Sequence, residues 1–414
     1  MKKFRYLYSI AAALCLGSVG MSAAPATPME LLEQGHDAYM DYQFDEADRL
    51  YSQARKNQTR KKLKRPEEAF EQKYKLYNEQ LMQAENFLDR VEKIIVIDSI
   101  SVPRQDFFKA YKLPASAGML SDGRVLPSSE QEGISYVYQN EGRDYKLWAR
   151  PDSVGNMQLV ESTLLTDGKW SETTPLSEEL SQGGDAIYPY MMADGVTLYY
   201  ACNGEGSIGG YDIMVATRDA ADGSFLQPSN LGFPYNSPYD DYMLAIDEYN
   251  GVGWWATERN QLEDEVTIYL FITNDMRTNY SSEEDDVVEF ARLSDYRQTQ
   301  PEDGDYEDLL ATIRAIDPAS EMKVKEFTLA ASGGRIYHYY DELPSPTART
   351  AMKKYLLEKG KEEALEKLLD NDRRQYHKSK STSLAQRIAQ REKDLEAKRE
   401  EVRKLRSDLY KLLK

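Results

Sequence analysis

Histidine and cysteine are scarce in this chain of 414 residues, at three and two respectively, and the scarcity excludes whole classes of chemistry. His36, His338 and His377 fall in three different regions with no ligand-spaced partner, so a zinc site or a histidine-based catalytic triad has nothing to be built from. Cys15 lies in the first apolar run, which leaves Cys202 alone in the rest of the chain and excludes an intramolecular disulfide there. Positive charge is also in deficit. Lys and Arg total 52 against 70 Asp and Glu, a formal net charge of −18, which is the wrong sign for a nucleic-acid partner. Beyond the amino-terminal segment no stretch approaches the ~18 consecutive apolar residues of a membrane span, and no G-x-S-x-G hydrolase elbow is present. Enzymatic activity is therefore not expected.

The amino terminus has the order of a secretory signal. Lys2, Lys3 and Arg5 precede the apolar stretch from Leu7 to Val19, and the small residues Ser22, Ala23, Ala24 and Ala26 follow. Residues 1–24 are read as a signal peptide, cut between Ala23 and Ala26, and the remainder as periplasmic. A lipid anchor on Cys15 would place bulky Leu14 before the cut, where a small residue is needed.

Residues 25–100 read as helical. Leu31, Gly35, Ala38, Phe44, Ala47, Tyr51 and Ala54 fall where a tetratricopeptide repeat places its small and large packing residues. In the stretch that follows, Phe70, Tyr74, Tyr77, Leu81, Ala84, Leu88 and Val91 keep to spacings of three and four. One such repeat cannot bury both of its faces, so this region must lean on the next domain or on a partner.

The segment NGEGSIGGYDIMVATR contains a literal G-x-G-x-x-G in Gly204, Gly206 and Gly209. In a dinucleotide fold those glycines open a helix. Here they lead into a strand pattern in which Ile213 and Val215 alternate with Met214 and Ala216, so they serve turn geometry. Aligned on itself with a shift of about 55 residues, the region places Gly168-Lys169-Trp170 on Gly223-Ser224-Phe225, and Asp185 and Asp194-Gly195 on Asp241 and Asn250-Gly251. Short strands joined by Asx-Gly turns at such a period predict propeller blades. Residues 101–343 are accordingly read as an all-β propeller. DFFKAYKL and MLSDGRVL before the repeats, and VEFARL and KVKEFTLAASGGRIYHYYDEL after them, are expected to supply the further strands.

An acidic insertion near 281–308 interrupts this region. A calcium site through Asp303, Asp305 and Glu307 departs from the EF-hand spacing, and no metal or cofactor is expected. From 344 to 414 the pattern is again helical. Ile388, Leu395, Val402 and Leu409 recur every seven residues with Leu405 at an alternate core position, a coiled-coil seam that Arg391 and Lys398 weaken. Self-association or partner docking is expected through this seam. The fold class is thus multi-domain: TPR-like helices, central propeller, C-terminal helices.

The middle segment resembles the PD40 or TolB-like (WD40-like) propeller repeats of Bacteroidota cell-envelope proteins. The matching residues include Asp194, Gly195, Gly209, Gly210, Tyr211, Asp212, Asn236 and Asp241. The order of signal, TPR-like helices and propeller is similar to a periplasmic family associated with type IX secretion, although the OmpA-like wall-binding domain that usually ends that family has no counterpart here. The resemblance implies structural roles for those eight residues. Together the regions predict a non-enzymatic envelope scaffold that binds other, outer-membrane-associated proteins. The alternative is a glycan-binding module, since 30 Tyr and 4 Trp could stack on sugar rings; Tyr and Trp alternating along strands also serve sheet packing.

Overall fold

The computed structural model describes residues 26–60, 67–105, 107–166, 168–281, 286–318, 327, 329–331, 336–337 and 339–413. The signal segment, Cys15 and His338 lie outside them. The chain divides into two compact units, Met1–Ala319 and Ser320–Lys414.

The first unit opens with three helices, α1 (Pro28–Met40), α2 (Phe44–Arg60) and α3 (Glu68–Leu88). Thr27 starts α1 with a reciprocal capping box: its hydroxyl accepts from Glu30 N–H while the Glu30 carboxylate accepts from Thr27 N–H. The small-and-large pattern is used as the sequence implies. Gly35 lies under the Tyr51 ring, where a Cβ would come within 2.6 Å of ring carbons, and Leu31, Ala38, Phe44, Ala47 and Ala54 are all buried. The other face of this helical group packs on the sheet region, with Ile208 and Phe233 in the same apolar cluster as Tyr39, Phe44 and Phe87.

Three antiparallel sheets follow. The first runs β2 (Met119–Ser121), β3 (Val137–Gln139), β4 (Tyr145–Pro151), β5 (Met157–Thr163), β6 (Thr174–Pro175); the second, β7 (Ala186–Met191), β8 (Thr197–Cys202), β9 (Asp212–Thr217), β10 (Ser229–Asn230). In the third, β11 (Asp241–Asp247), β12 (Val252–Thr257) and β13 (Glu265–Ile272) are completed by β1 (Ile95–Pro103), which pairs with β13 from Ile95↔Ile272 to Pro103↔Glu265. The boundary read at residue 100 therefore cuts through a strand. A shared core joins the three sheets, with Tyr138, Tyr190, Tyr200, Tyr242 and Trp254 in one buried cluster.

Tyrosine serves this core at two of its three bulged strands, β1, β7 and β11. Tyr188 in β7 and Met243 in β11 take left-handed backbone conformations where the register slips, and a bulge leaves carbonyls without ladder partners. The Tyr136 hydroxyl donates to Pro189 O at 2.9 Å and the Tyr111 hydroxyl to Met243 O at 2.8 Å, each inside a bulge. The Tyr190 hydroxyl shares its one hydrogen between Ile246 O at 2.7 Å and Ala117 O at 2.9 Å, tying the second sheet to the third and to the turn before β2. Each such bond is worth about 1 kcal/mol net, and more is lost if the buried carbonyl is left bare.

Among the described residues the three sheets do not close into a propeller ring, which corrects the expectation for 101–343. The segments meant to supply further blades fold otherwise. Phe107–Ala110 is a short 3-10 turn that plugs the core, and only Met119–Ser121 of the next segment is a strand. VEFARL forms a helix, α4 (Val287–Arg292), capped by the Asp286 carboxylate, and α5 (Glu307–Ala315) lies further along the insertion. The strand pair β14 (Leu329–Ala330) and β15 (Ile336–Tyr337) belongs to the second unit.

That unit is chiefly a helical hairpin, α6 (Pro346–Ser379) and α7 (Thr382–Leu412), reversed at Lys380 in the left-handed conformation. Ser345 caps α6 by accepting from Ala348 N–H, with Pro346 at the first helical position.

Candidate functional site

The glycine loop Asn203–Tyr211 joins β8 to β9, and all of its backbone N–H groups but those of Gly206 and Gly210 are already spoken for. Ile208 N–H (2.8 Å) and Gly209 N–H (3.2 Å) donate to the Asp212 carboxylate. Glu205 and Ser207 bond backbone carbonyls, Gly204 bonds Cys202 Sγ, and Tyr211 bonds Asp240 Oδ1. A phosphate cradle needs these donors free. The glycines are required by closeness: a Cβ on Gly204 would meet Gln182 O and Ser181 O at 2.5 Å, on Gly209 Tyr239 O at 2.3 Å, and on Gly210 Asp240 Oδ1 at 2.0 Å.

What the loop holds is the helical group. The Tyr39 hydroxyl of α1 donates to Ile208 O, and Gln80 Nε2 of α3 to Gly209 O at 3.0 Å. Beneath it lies a buried polar network. Asp212, fully buried, also accepts from Asn230 Nδ2 at 2.6 Å. Asn236 brackets Ile213, accepting from its N–H at 2.7 Å and donating to its carbonyl at 3.0 Å. Asp241 Oδ1 pairs with Arg259 Nη2 at 2.9 Å, and Asp241 Oδ2 accepts from Ser237. Burial pushes the Asp212 carboxyl well up and raises Asp241 as well, the latter against the opposing pull of Arg259. These carboxylates brace backbone and are closed to any substrate.

Asp194 and Gly195 form the β7–β8 turn. Asp194 accepts from Val196 and Thr197 N–H at 2.8 and 2.9 Å, and Gly195 takes φ +68. Burial acts to raise the Asp194 carboxyl, but the bonds from Thr197 and Val196 outweigh it and its pKa is lowered. Asp185, aligned with Asp241 in the sequence, accepts from Met157 N–H at 2.7 Å and so links the first two sheets. Cys202 is a buried strand residue, and burial pushes its thiol up to about 11. Among the described residues no group of three or more His, Cys, Asp or Glu is arranged to hold a metal. Asp305 accepts from Glu307 N–H at the start of α5.

The seam of α7 is filled by the chain's own α6. Leu395, Val402 and Leu409 are buried, with Leu409 packed against Ala348 and Met352, while Ile388 and Leu405 are half-buried. Arg391 and Lys398 complete the seam they had been expected to weaken. Asp372 of α6 accepts from Arg387 and Arg391, both at 2.6 Å, and Glu358 of α6 accepts from Lys398 at 2.8 Å. These acids sit two heptads apart on α6, a signal visible only when both helices are read together. The seam thus has an intramolecular partner.

Hydrogen bonds from Lys361 and Lys398 pull the Glu358 carboxyl from its usual 4.5 to about 2, and Arg387 lowers Asp372. A carboxylate lowered by folding stabilises above its unfolded pKa, and that stabilisation is lost as pH falls through the folded one. The hairpin is therefore expected to weaken between pH 4.5 and about 2. Circular-dichroism melts across this range check it, with Glu358→Gln flattening the dependence.

No protein-family profile, curated protein or solved structure matches this chain. No helix among the described residues is long and apolar enough to cross a membrane.

Proposed function

We propose that this protein is a non-enzymatic scaffold of the cell envelope, exported by its first 24 residues to the periplasm, that holds other proteins together through exposed faces of its helices. In this reading the three sheets are blade-like units of a PD40-type body whose motif residues seat the helical group. The observation that carries the choice is where apolar side chains remain exposed. Leu357 and Leu368 on α6 are 61% and 46% exposed, while Trp148, Trp254 and Trp255 are buried and, among the described residues, Tyr249 alone of the large aromatics is strongly exposed. Sugar recognition needs clustered exposed rings; a protein partner needs exposed apolar side chains on a rigid element. Helices of this length reach roughly 45–50 Å at 1.5 Å per residue, which suits an arm that bridges partners.

The test uses the full chain, tagged, against solubilised envelopes of its own cells. Enrichment of a defined envelope protein, lost in Leu357→Glu/Leu368→Glu with helicity unchanged, is the expected result. An unchanged set with that variant, or nothing enriched beside binding on a glycan array, would overturn the reading in favour of the sugar module.

A further inference from the structure

On the third sheet, β1, β13 and β12 place Ile100, Ile268, Leu270 and Trp254 on one face, and α5 covers them with Leu310 and Ile313. Between helix and sheet remains a cavity of about 140 Å³. An engineered apolar cavity of about 150 Å³ stays dry and takes up benzene, so this space matches one aromatic ring or a short branched alkyl group.

Apart from Ala110, the rest of its lining is polar and lopsided in charge. Asp98 stands in the same cross-strand row as Leu270 and Trp254, an acid on an otherwise apolar face at the sheet's edge. It pairs with Arg314 of α5 at 3.0 Å, and Arg314 is 61% exposed, which puts this side of the cavity toward solvent. Lys112 completes the lining, half-buried between the buried Tyr111 and Leu113, and among the described residues it pairs with no carboxylate. One cation is thus left over beside a ring-sized apolar space. Trp254, 4% exposed and in the lining, also carries an indole N–H with no hydrogen-bond partner within the protein, a donor whose burial is costly unless a ligand satisfies it.

We propose that this cavity binds a small amphiphilic carboxylate, with an aryl or branched-alkyl group between α5 and the sheet and its carboxylate on Lys112. The assignment is independent of the scaffold reading. The same chemistry occurs in a free organic acid and in the carboxyl-terminal residue of a peptide.

Titration calorimetry and ligand-observed NMR on the full chain test it with phenylacetate, phenylacetamide, phenethylamine and a hexapeptide ending in phenylalanine with a free or amidated terminus. Saturable binding of phenylacetate, at least about tenfold tighter than the amide, with no binding of the amine, is expected. Lys112→Gln should weaken phenylacetate by about tenfold or more, since a charge-assisted bond is lost. Asp98→Asn should tighten it by removing a repelling charge and freeing Arg314, a gain that no merely structural role produces. Binding of the free-ended peptide would identify a chain terminus as ligand, and binding of phenylacetate alone a small acid. No saturable binding of phenylacetate or peptide up to about 10 mM, equal binding of acid and amide, or an unchanged Lys112→Gln would overturn the assignment.

Discussion

Asp241→Ala is expected to lower the unfolding free energy of the first unit by about 3–5 kcal/mol. Its carboxylate is wholly buried, and the Arg259 side chain opposite is 2% exposed. Arg259 also donates to Tyr235 O at 2.8 Å and to Thr257 Oγ1 at 3.0 Å, so it cannot swing out to water when its counter-charge goes. The cost arises chiefly from a stranded guanidinium, which gives the prediction its shape. Replacing both residues, as Asp241→Leu with Arg259→Met, removes the stranded charge and should recover a large part of the loss. Near-UV circular dichroism during urea unfolding reads the sheet core directly. Single and double variants of equal stability would mean that the pair acts through something other than its charges.

Leu409→Asp is expected to melt the α6–α7 hairpin while the first unit stays folded. Leu409 is fully buried against Ala348 and Met352, and truncating a buried leucine already costs about 2–5 kcal/mol before a carboxylate is placed in the gap. A unit of this size has only about 5–10 kcal/mol to lose. Leu395→Asp with Val402→Asp should act in the same way. Far-UV ellipticity should drop with little change in the near-UV signal. If helicity survived and only the mass of an oligomer or complex changed, the seam would serve a second chain instead of α6.

The helices were legible because their signals are local. The spacing of Leu31 to Ala54, and Ser345-Pro346 at the head of α6, act within a few residues of where they stand. The Asx-Gly turns were legible for the same reason, as at Asp194-Gly195, where the Asp194 carboxylate accepts from Val196 N–H. Long-range choices were hidden. Nothing near Ile95 says that it pairs with Ile272, and VEFARL alternates well enough to pass for a strand until Asp286 is seen capping it as a helix. Arg391 and Lys398 looked like faults in α7 because their acids lie on another helix. The cavity beside α5 was invisible for a related reason: its walls come from three strands, a turn and a helix that no sequence period connects.

The pairing of β1 with β13 also fixes the order in which the molecule can be finished. A strand at Ile95–Pro103 must wait for one at Glu265–Ile272, and closing so long a loop is slow even though its entropy grows only with the logarithm of its length. Until β13 is available, Ile95, Val96 and Ile97 have no ladder to join, and an unpaired β-branched run of this kind is prone to pair with the wrong neighbour. A chain made amino end first therefore carries β1 unpaired until β13 has emerged, so its folding yield should depend on how quickly β13 follows β1.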